Sequence, residues 1–338
     1  MIEPPPETIA STAPRSKALC LFSGGLDSQL AVCVLREQGI HVEGVAFASP
    51  FFSAAAAIKT AKPLGLKLHV VDFTREITTL LKDPPRGFGS CLNPCIDCHA
   101  AMIRKAAEIM AREGFDFIAT GEVLGQRPMS QRRDALNMVR KDSGIGDRLL
   151  RPLSAQLLPE TEVEALGLVD RSRLLGLSGR NRKPQLDMAR RYGIAEFPSP
   201  AGGCLLTEPR YARRLKNLMD HEGLDDERLL QLLRRGRHFR LEGGTLAIVG
   251  RNKGDNEFIR NAMRGGDALV KPVGKPGATV LAIQPAEADL PAIRGLCAAY
   301  SDGKPGETVS ISVMRAASKP VAEPVVVPER QNFEAWMI

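Results

Sequence analysis

The chain has 338 residues, enough for two or three domains that each bury a core. No apolar run reaches the roughly 18 residues that span a bilayer, and the Pro-rich start has no apolar segment typical of a secretion signal. The formal net charge of +7, from 46 Lys and Arg against 39 Asp and Glu, favours a polyanionic partner. These features exclude a membrane partner and predict a cytoplasmic protein with residues 1–16 as a flexible leader.

The first half alternates strand-like and helix-like segments. Apolar runs predict strands at residues 18–22, 41–47, 67–73 and 115–120, and helical patterns fall at residues 29–38, 54–64 and 103–112. This alternation is typical of the α/β class with a doubly wound parallel sheet. Ligands of such sheets bind at the carboxyl ends of the strands, where Ser23 and Gly121 both fall.

The pattern changes after residue 150. Short helices are predicted at residues 159–168, 183–192, 211–219 and 225–236, and strands at residues 245–249, 268–270 and 279–282. A partly extended segment follows residue 303. The sequence therefore predicts one domain at residues 17–223 and a smaller, β-rich α+β domain at residues 224–338.

A glycine-rich turn joins the first predicted strand to the first predicted helix, and it reads Ser23-Gly24-Gly25-Leu26-Asp27-Ser28. Glycines let backbone N–H groups approach phosphate oxygens, and a helix N-terminus adds a favourable dipole. The turn lacks the Gly-Lys-Ser/Thr ending of a Walker A loop. It resembles the PP-loop of N-type ATP pyrophosphatases, a family that cleaves ATP between its α and β phosphates and adenylates a substrate.

That resemblance implies that ATP and Mg²⁺ bind at this turn, and that Asp27 positions the metal and the pyrophosphate. It also implies that Phe47, at the end of the second predicted strand, belongs to the nucleotide site. The alternative interpretation is a glycine-rich turn that has no ligand.

Three cysteines and a histidine lie close together in the segment Cys91-Leu92-Asn93-Pro94-Cys95-Ile96-Asp97-Cys98-His99. Seven cysteines in a cytoplasmic protein favour metal, cluster or catalytic sulfur over disulfides, and thiolates suit zinc and iron–sulfur clusters. Four interpretations are open. They are c-type haem attachment, a radical-SAM spacing, a site that includes the distant Cys204, and a structural zinc site formed by Cys91, Cys95, Cys98 and His99.

The segment Asn93-Pro94-x-x-x-Cys98 resembles the part of tRNA 2-thiouridylases that carries a catalytic cysteine, and Gly202-Gly203-Cys204 resembles the loop with their second one. The resemblance implies that Cys98 and Cys204 are catalytic. In members with a cluster, a further ligand precedes the first catalytic cysteine by three residues, which here is Cys95. Cys95, Cys98 and Cys204 are therefore expected to hold a [4Fe–4S] cluster whose fourth iron binds hydrosulfide. The alternative is a persulfide pair of Cys98 and Cys204.

The fourth predicted strand runs into Thr120-Gly121-Glu122-Val123-Leu124-Gly125-Gln126-Arg127-Pro128-Met129-Ser130-Gln131. This stretch resembles the Thr-Gly-Glu-x-x-Gly-Gln-x-x-Ser-Gln motif of tRNA 4-thiouridine synthases, in which it lines the nucleotide and substrate site. The resemblance implies that Gly121 and Gln126 contribute to that site. Arg127-Pro128 departs from the family, which has small or apolar residues there.

Two basic segments are candidates for RNA contacts. The first lies where residues 171–216 carry 11 basic and 3 acidic side chains, and its candidates are Arg180, Arg182, Lys183 and Arg190. The second contains Gly250-Arg251-Asn252-x-x-x-Asn256-Glu257, which resembles the NFACT-type RNA-binding module and implies RNA contacts by Arg251 and Lys253. The alternative for both segments is a solvated surface.

Together these features predict an ATP-dependent tRNA sulfurtransferase. It would adenylate a uridine carbonyl and replace its oxygen with sulfur, with tRNA and a sulfide or persulfide carrier as partners; a homodimer is left open. Two other hypotheses remain: a PP-loop amide ligase that acts on a small molecule, and an RNA-binding protein with a vestigial ATPase half.

Overall fold

The computed structural model describes residues 16–199, 203–316 and 318–338. Residues 1–15 of the predicted leader lie outside the described residues, and so does Gly202 of the predicted cysteine loop. The chain divides into two compact units after Leu205. The sequence instead places the boundary after residue 223, so the segment at 206–223 lies in the second unit and not in the first.

The first unit alternates strands and helices, as the sequence predicts. Its elements are β1 (Lys17–Leu21), α1 (Leu26–Arg36), β2 (His41–Ala48), α2 (Ala55–Ala61), β3 (Leu68–Asp72), α3 (Thr74–Lys82), α4 (Cys95–Glu113), β4 (Phe117–Thr120), α5 (Arg133–Asp142), β5 (Leu149–Leu150), α6 (Glu162–Ala165) and α7 (Lys183–Arg191).

The five strands of this unit form a parallel sheet in the order β3-β2-β1-β4-β5. The predicted α/β class with a parallel sheet is thus confirmed. The chain builds outward from β1 through β2 to β3 and then returns to the other side of β1 with β4. The strand order therefore reverses between β1 and β4, which is where such sheets bind ligands.

Two features of the first unit differ from the sequence prediction. Helix α4 begins at Cys95 and has 19 residues, whereas apolar periodicity places its start at residue 103. The first turns of α4 bury Asp97, Ala100 and Ala101, which carry little hydrophobic signal. Helices α3 and α5 were not predicted, because their sequences are mostly polar and each buries only three apolar side chains.

The core of the first unit lies between α1 and the sheet. Leu30, Val34 and Phe117 are 0–2% exposed, and Cys20 of β1 is fully buried among them. Burial raises the pKa of the Cys20 thiol to about 12, as expected of a packing cysteine and not of a reactive one.

The second unit is β-rich, and this confirms the predicted class. Its elements are α8 (Pro209–His221), α9 (Glu227–Leu232), β6 (Arg237–Arg240), β7 (Leu246–Val249), α10 (Lys253–Asn261), β8 (Ala268–Val273), β9 (Val280–Ile283), α11 (Leu290–Ala299), β10 (Thr308–Arg315) and β11 (Val321–Val326). The six strands form an antiparallel sheet in the order β11-β10-β8-β9-β7-β6. Helix α11 packs its apolar face on this sheet through Ile293 and Leu296, both fully buried.

No helix in the described parts of the chain has the length and apolar character that crossing a bilayer requires.

Candidate functional site

The loop after β1 folds closely against α2. Gly24 has a φ of +78°, and a Cβ at this position would lie 2.5 Å from the carbonyl group of Ala56. Ser23 Oγ accepts a hydrogen bond from Gly25 N (3.3 Å), and Ser28 Oγ donates one to Gly25 O (2.8 Å). No side chain among the described residues caps the N-terminus of α1. The backbone N–H groups of this turn can therefore bind an anion such as a phosphate.

The end of β4 lies against the start of α1. A Cβ on Gly121 would come within 2.6 Å of Ser28 N, so only glycine allows this approach. Gln126 Nε2 donates to Asp27 Oδ2 (2.7 Å), and Gln185 Nε2 of α7 donates to Gln126 Oε1 (3.1 Å). The structure thus brings the predicted residues Asp27, Gly121 and Gln126 together.

Gln185 is a site residue that the sequence analysis missed. Its side chain is 2% exposed, and it lies four residues before the buried Ala189 on α7. A glutamine on the buried face of an amphipathic helix must find a polar partner. That position is the one sequence signal that could have identified it.

The carboxylate of Asp27 suits a divalent cation. Its Oδ2 accepts from Gln126, but its Oδ1 is buried and has no hydrogen-bond partner among the described residues. An unsatisfied buried acceptor costs roughly 1–3 kcal/mol. Mg²⁺ in nucleotide sites is usually held by one or two carboxylates together with substrate phosphates. The position of Oδ1 is therefore consistent with the predicted metal site.

Two of the predicted cluster ligands lie in the first turn of α4. Asn93, buried just before the helix, accepts the N–H of Cys91 (3.0 Å) and donates from Nδ2 to Cys95 Sγ (3.2 Å). The helix N-terminus and this N–H donor both favour negative charge on sulfur. The start of α4 is thus built to present cysteine sulfur, which the sequence did not predict because it placed these residues outside the helix.

Cys98 lies near the other two predicted cysteines. Burial raises the pKa of its thiol, and the charges of Cys204, Cys95 and Asp97 raise it further. Leu205 N, next to Cys204, donates to Phe51 O (2.9 Å) and so holds this segment against the loop after β2. Cysteines that are distant in sequence therefore lie at the same edge of the sheet as the loops after β1 and β2.

Glu122 connects the cysteine helix to the loop after β4. Its Oε1 lies 3.0 Å from His99 Nδ1, and its Oε2 accepts from Arg151 Nε (2.8 Å). Burial alone would raise the pKa of Glu122, but Arg151 and His99 outweigh burial and lower it to about 2. Since Gly121 touches Ser28, a continuous set of contacts runs from Cys98, through its neighbour His99 and Glu122, to the start of α1.

The structural zinc interpretation is not supported. Within the described ranges, only one set of three His, Cys, Asp or Glu side chains has its ligand atoms within 4.8 Å of one another, and it consists of Glu43, His69 and Glu113. Neither the proposed zinc ligands nor Cys95, Cys98 and Cys204 form such a set. Lys67 Nζ already lies 3.0 Å from Glu43 Oε2, so this set forms an ion-pair network. His99, the fourth proposed zinc ligand, contacts Glu122 instead.

The remaining predicted site residues lie in three places. Phe47 is 8% exposed and packs edge-on against Phe73, with 5.2 Å between ring centroids. Arg180, Lys183 and Arg190 are exposed on the first unit, and Arg190 pairs with Asp187 (2.7 Å). Arg182 is half-buried in the same unit, whereas Arg251 and Lys253 are exposed in the second unit.

The NFACT-like motif has a structural role in the second unit. Asn252 is the N-cap of α10, and its side chain accepts from Asp255 N (2.9 Å). Asn256 Oδ1 accepts from Thr279 N (3.0 Å) at the start of β9. The two asparagines therefore shape the turn that presents Arg251 and Lys253.

Two family models match the chain. Residues 14–156 match the thiamine biosynthesis protein (ThiI) family, and residues 236–337 match the NFACT protein RNA-binding domain. The first match contains the loops after β1 and β4 and the cysteine segment. The second contains the antiparallel sheet.

Curated relatives agree with the first match. The chain is 30% identical over 159 residues to a probable tRNA sulfurtransferase of Anoxybacillus flavithermus, which covers 44% of this chain and 38% of the relative. It is 27% identical over 274 residues to the tRNA-specific 2-thiouridylase MnmA of Roseiflexus sp. This alignment covers 71% of this chain and 70% of the relative. The chain spans half or less of the length of the tRNA sulfurtransferases that it matches.

A solved structure, a 4-thiouridine synthetase–RNA complex with bound ATP, aligns with a TM-score of 0.42 and 23% identity over 64% of this chain and 52% of that one. The predicted resemblances to PP-loop proteins of tRNA thiolation and to the NFACT module are confirmed. The first unit thus contains a region that matches the ThiI family, and the second unit contains a region that matches the NFACT RNA-binding domain.

Proposed function

We propose that this protein is an ATP-dependent tRNA sulfurtransferase, which adenylates a uridine carbonyl oxygen and then replaces that oxygen with sulfur. The observation that carries the proposal is that Cys98 and the segment of Cys204 lie at the sheet edge of the loops after β1 and β2, with contacts that join α4 to the loop after β1. A site that only bound nucleotide would not need these sulfurs. The relatives' names and the RNA-binding domain support tRNA as the substrate.

The first step is adenylation. The backbone N–H groups and hydroxyls of Ser23, Gly24, Gly25, Leu26 and Ser28 bind the phosphates of ATP, and the carboxylate of Asp27 would hold Mg²⁺. The metal would supply charge neutralisation for the leaving pyrophosphate. The uridine oxygen forms a bond to the α-phosphorus as the bond to the bridging oxygen breaks, and pyrophosphate leaves. Gln126, itself held by Gln185, fixes the orientation of the Asp27 carboxylate.

The second step is sulfur transfer. A sulfur nucleophile attacks the activated carbon of the base, the carbon–oxygen bond breaks, and AMP leaves with that oxygen. Cys98 and Cys204 either carry the sulfur as a persulfide or hold the cluster that binds it. In the persulfide route, the outer sulfur on one cysteine attacks the base, and the thiolate of the other cysteine then attacks the inner sulfur. The thiolated base is released, and a Cys98–Cys204 disulfide remains for an external thiol to reduce.

The donor set favours a cluster over a persulfide. Cys95 and Cys204 both lie close enough to Cys98 for their charges to raise the pKa of its thiol, and Asn93 donates to Cys95 Sγ. Hydrogen bonds to sulfur are a regular feature of iron–sulfur sites. A [4Fe–4S] cluster held by these three residues would supply an iron that binds hydrosulfide.

The RNA contacts fall in both units. In the first unit, Arg180, Arg182, Lys183 and Arg190 bind tRNA phosphates, and in the second unit Arg251 and Lys253 do so. As an enzyme of tRNA modification, the protein would act in the cytoplasm.

The decisive test is chemical. Full-length protein is incubated anaerobically with unmodified tRNA, ATP, Mg²⁺ and sulfide, and the nucleosides are analysed by mass spectrometry. We expect one thiouridine for each AMP and pyrophosphate formed, and none without ATP. AMP formation with ammonia and a small carboxylic acid, but no thiouridine, would support the amide ligase. Failure to form AMP under any condition would support a vestigial ATPase half.

Iron content tests the cluster. Protein purified without oxygen should contain about four iron and four sulfide per chain and absorb in the visible range. Cys95→Ser should lose most of that iron, because it removes one ligand, whereas Cys33→Ser, in the half-buried middle of α1, should retain it. An iron-free protein that still thiolates tRNA would contradict the cluster and favour the persulfide.

A further inference from the structure

Two arginines of the second unit converge on the turn that follows α9. Arg214 of α8 donates from Nη1 to Leu233 O (3.2 Å), and Arg251 donates from Nη2 to Arg234 O (3.3 Å). Leu233 and Arg234 are consecutive, so the guanidinium groups of Arg214 and Arg251 lie beside one another. Two like charges that lie side by side repel each other, and an anion bound between or above them would offset this repulsion.

Among the described residues, the buried Asp255 is the carboxylate that pairs with the arginines of this turn. Asp255 accepts from Arg251 Nε (2.7 Å) and from the N–H of Gly236 (3.1 Å), and it lies 3.9 Å from Arg235 Nη1. Asp255 is 2% exposed, so its carboxylate is buried, whereas Arg251 lies at the surface. A single carboxylate shared by two arginines leaves the outer surface positive.

Helix α8 adds further positive charge at the same place. Arg210 and Arg213 are exposed and form no ion pair within the residues that the structure describes. Burial, followed by the charges of Arg251, Arg213 and Arg210, lowers the pKa of Arg214, whose Nε is buried and has no hydrogen-bond partner in the described ranges. We call the following set the arginine cluster: Arg210, Arg213, Arg214, Arg235 and Arg251.

The cluster is held rigidly, because α8 is fixed to the antiparallel sheet. Arg240 of β6 donates from Nη1 and Nη2 to the two carboxylate oxygens of Glu222, at 2.6 and 2.8 Å, and also to Asn217 Oδ1 (2.6 Å). Both acceptors lie at the C-terminal end of α8. Bidentate arginine–carboxylate pairs have a defined geometry, so α8 presents its arginines at a constant position.

We infer that the arginine cluster binds backbone phosphates of the RNA, and that the RNA surface of the second unit extends to α8, outside the region at 236–337 that matches the NFACT domain. Guanidinium groups bind phosphates in a bidentate fashion, and phosphates offset the mutual repulsion of the five arginines. Binding by charge predicts little dependence on base sequence. The inference rests on the RNA partner of the proposed function.

The test removes Arg210 and Arg213, which form no ion pair with the residues that the structure describes. In the full chain, Arg210→Gln/Arg213→Gln should leave the fold intact, since both side chains are exposed. Binding of a fluorescein-labelled, unmodified tRNA transcript is measured by anisotropy at a series of salt concentrations. We expect Kd to rise about 10-fold at low salt and the slope of log Kd against log salt to fall by about 1.5–2.

The matched control removes two positive charges elsewhere on the same unit, by Lys271→Gln/Lys304→Gln at two exposed lysines. An equal loss in both double variants, or an unchanged salt slope in the arginine variant, would overturn the inference. AMP and thiouridine formation at saturating tRNA are measured in parallel. If affinity falls as expected but the parent protein makes no thiouridine, the phosphate site stands and the sulfurtransferase proposal fails.

Discussion

Asp27→Asn should lower the rate of AMP and pyrophosphate formation by about 100- to 1000-fold, with thiouridine formation falling in parallel. The substitution keeps the shape of the side chain and an oxygen that can accept from Gln126 (2.7 Å in the parent). It removes the negative charge and the second carboxylate oxygen, Oδ1, which is buried without a protein partner in the described residues. The substitution would therefore weaken metal binding and, with it, the stabilisation of the leaving pyrophosphate.

The measurement is a single-turnover assay with radiolabelled ATP at saturating tRNA, accompanied by a circular dichroism spectrum and the tRNA Kd. The spectrum and the tRNA Kd should both match those of the parent protein. Asp134→Asn, on the exposed face of α5, makes the same change of charge in the same unit and should leave the rate within about two-fold. A rate for Asp27→Asn within about three-fold of the parent would remove the metal role from Asp27.

The first-unit sheet could be predicted because its strands are continuous apolar runs. The strands at residues 17–21 and 117–120 are buried along most of their length, as parallel strands covered by helices are. The loops after them were found for a related reason. Gly24 and Gly121 lie where a side chain would clash with backbone, so the sequence retains glycine at both positions.

The boundaries of helices near the site could not be predicted in the same way. The start of α4 buries polar and small residues, since Asp97 accepts from Arg86 N (3.0 Å) and Asn93 contacts Cys95. Such partners come from tertiary structure and leave no periodic apolar signal. The same holds for Gln185 and for the network of Glu122, Arg151 and His99, whose members are far apart in the chain.

The motif of the second unit shows what a sequence resemblance does and does not specify. The resemblance implies RNA contacts by Arg251 and Lys253. In the structure Asn252 caps α10 and Asn256 accepts a hydrogen bond from the backbone just before β9. The side chains of both asparagines therefore stabilise the fold. Arg251 and Lys253 are the basic residues of this segment whose charges reach the surface. Arg210, Arg213 and Arg214, the neighbours of Arg251, come from a helix outside the motif, and only the folded unit brings them close.

Cys98→Ser and Cys204→Ser should each abolish thiouridine formation, by at least about 1000-fold, while pyrophosphate formation in a single turnover stays within a few-fold of the parent rate. A serine hydroxyl neither carries transferable sulfur nor ligates iron as a thiolate does. Adenylation depends on the loops after β1 and β4, which these substitutions do not touch. The two half-reactions should therefore separate in these variants, and adenylated tRNA should accumulate without thiolated tRNA.

Both half-reactions are measured on the same samples, by pyrophosphate release and by nucleoside mass spectrometry. Cys33→Ser is the matched control, because Cys33 is also half-buried in the first unit but lies in the middle of α1, and it should preserve both activities. The two serine variants also separate the enzyme classes. An amide ligase needs neither cysteine. Amide formation by both variants at the parent rate would therefore assign the ATP chemistry of this protein to an acceptor other than uridine. Loss in only one variant would show that a single cysteine carries the sulfur, and would remove the three-thiolate cluster.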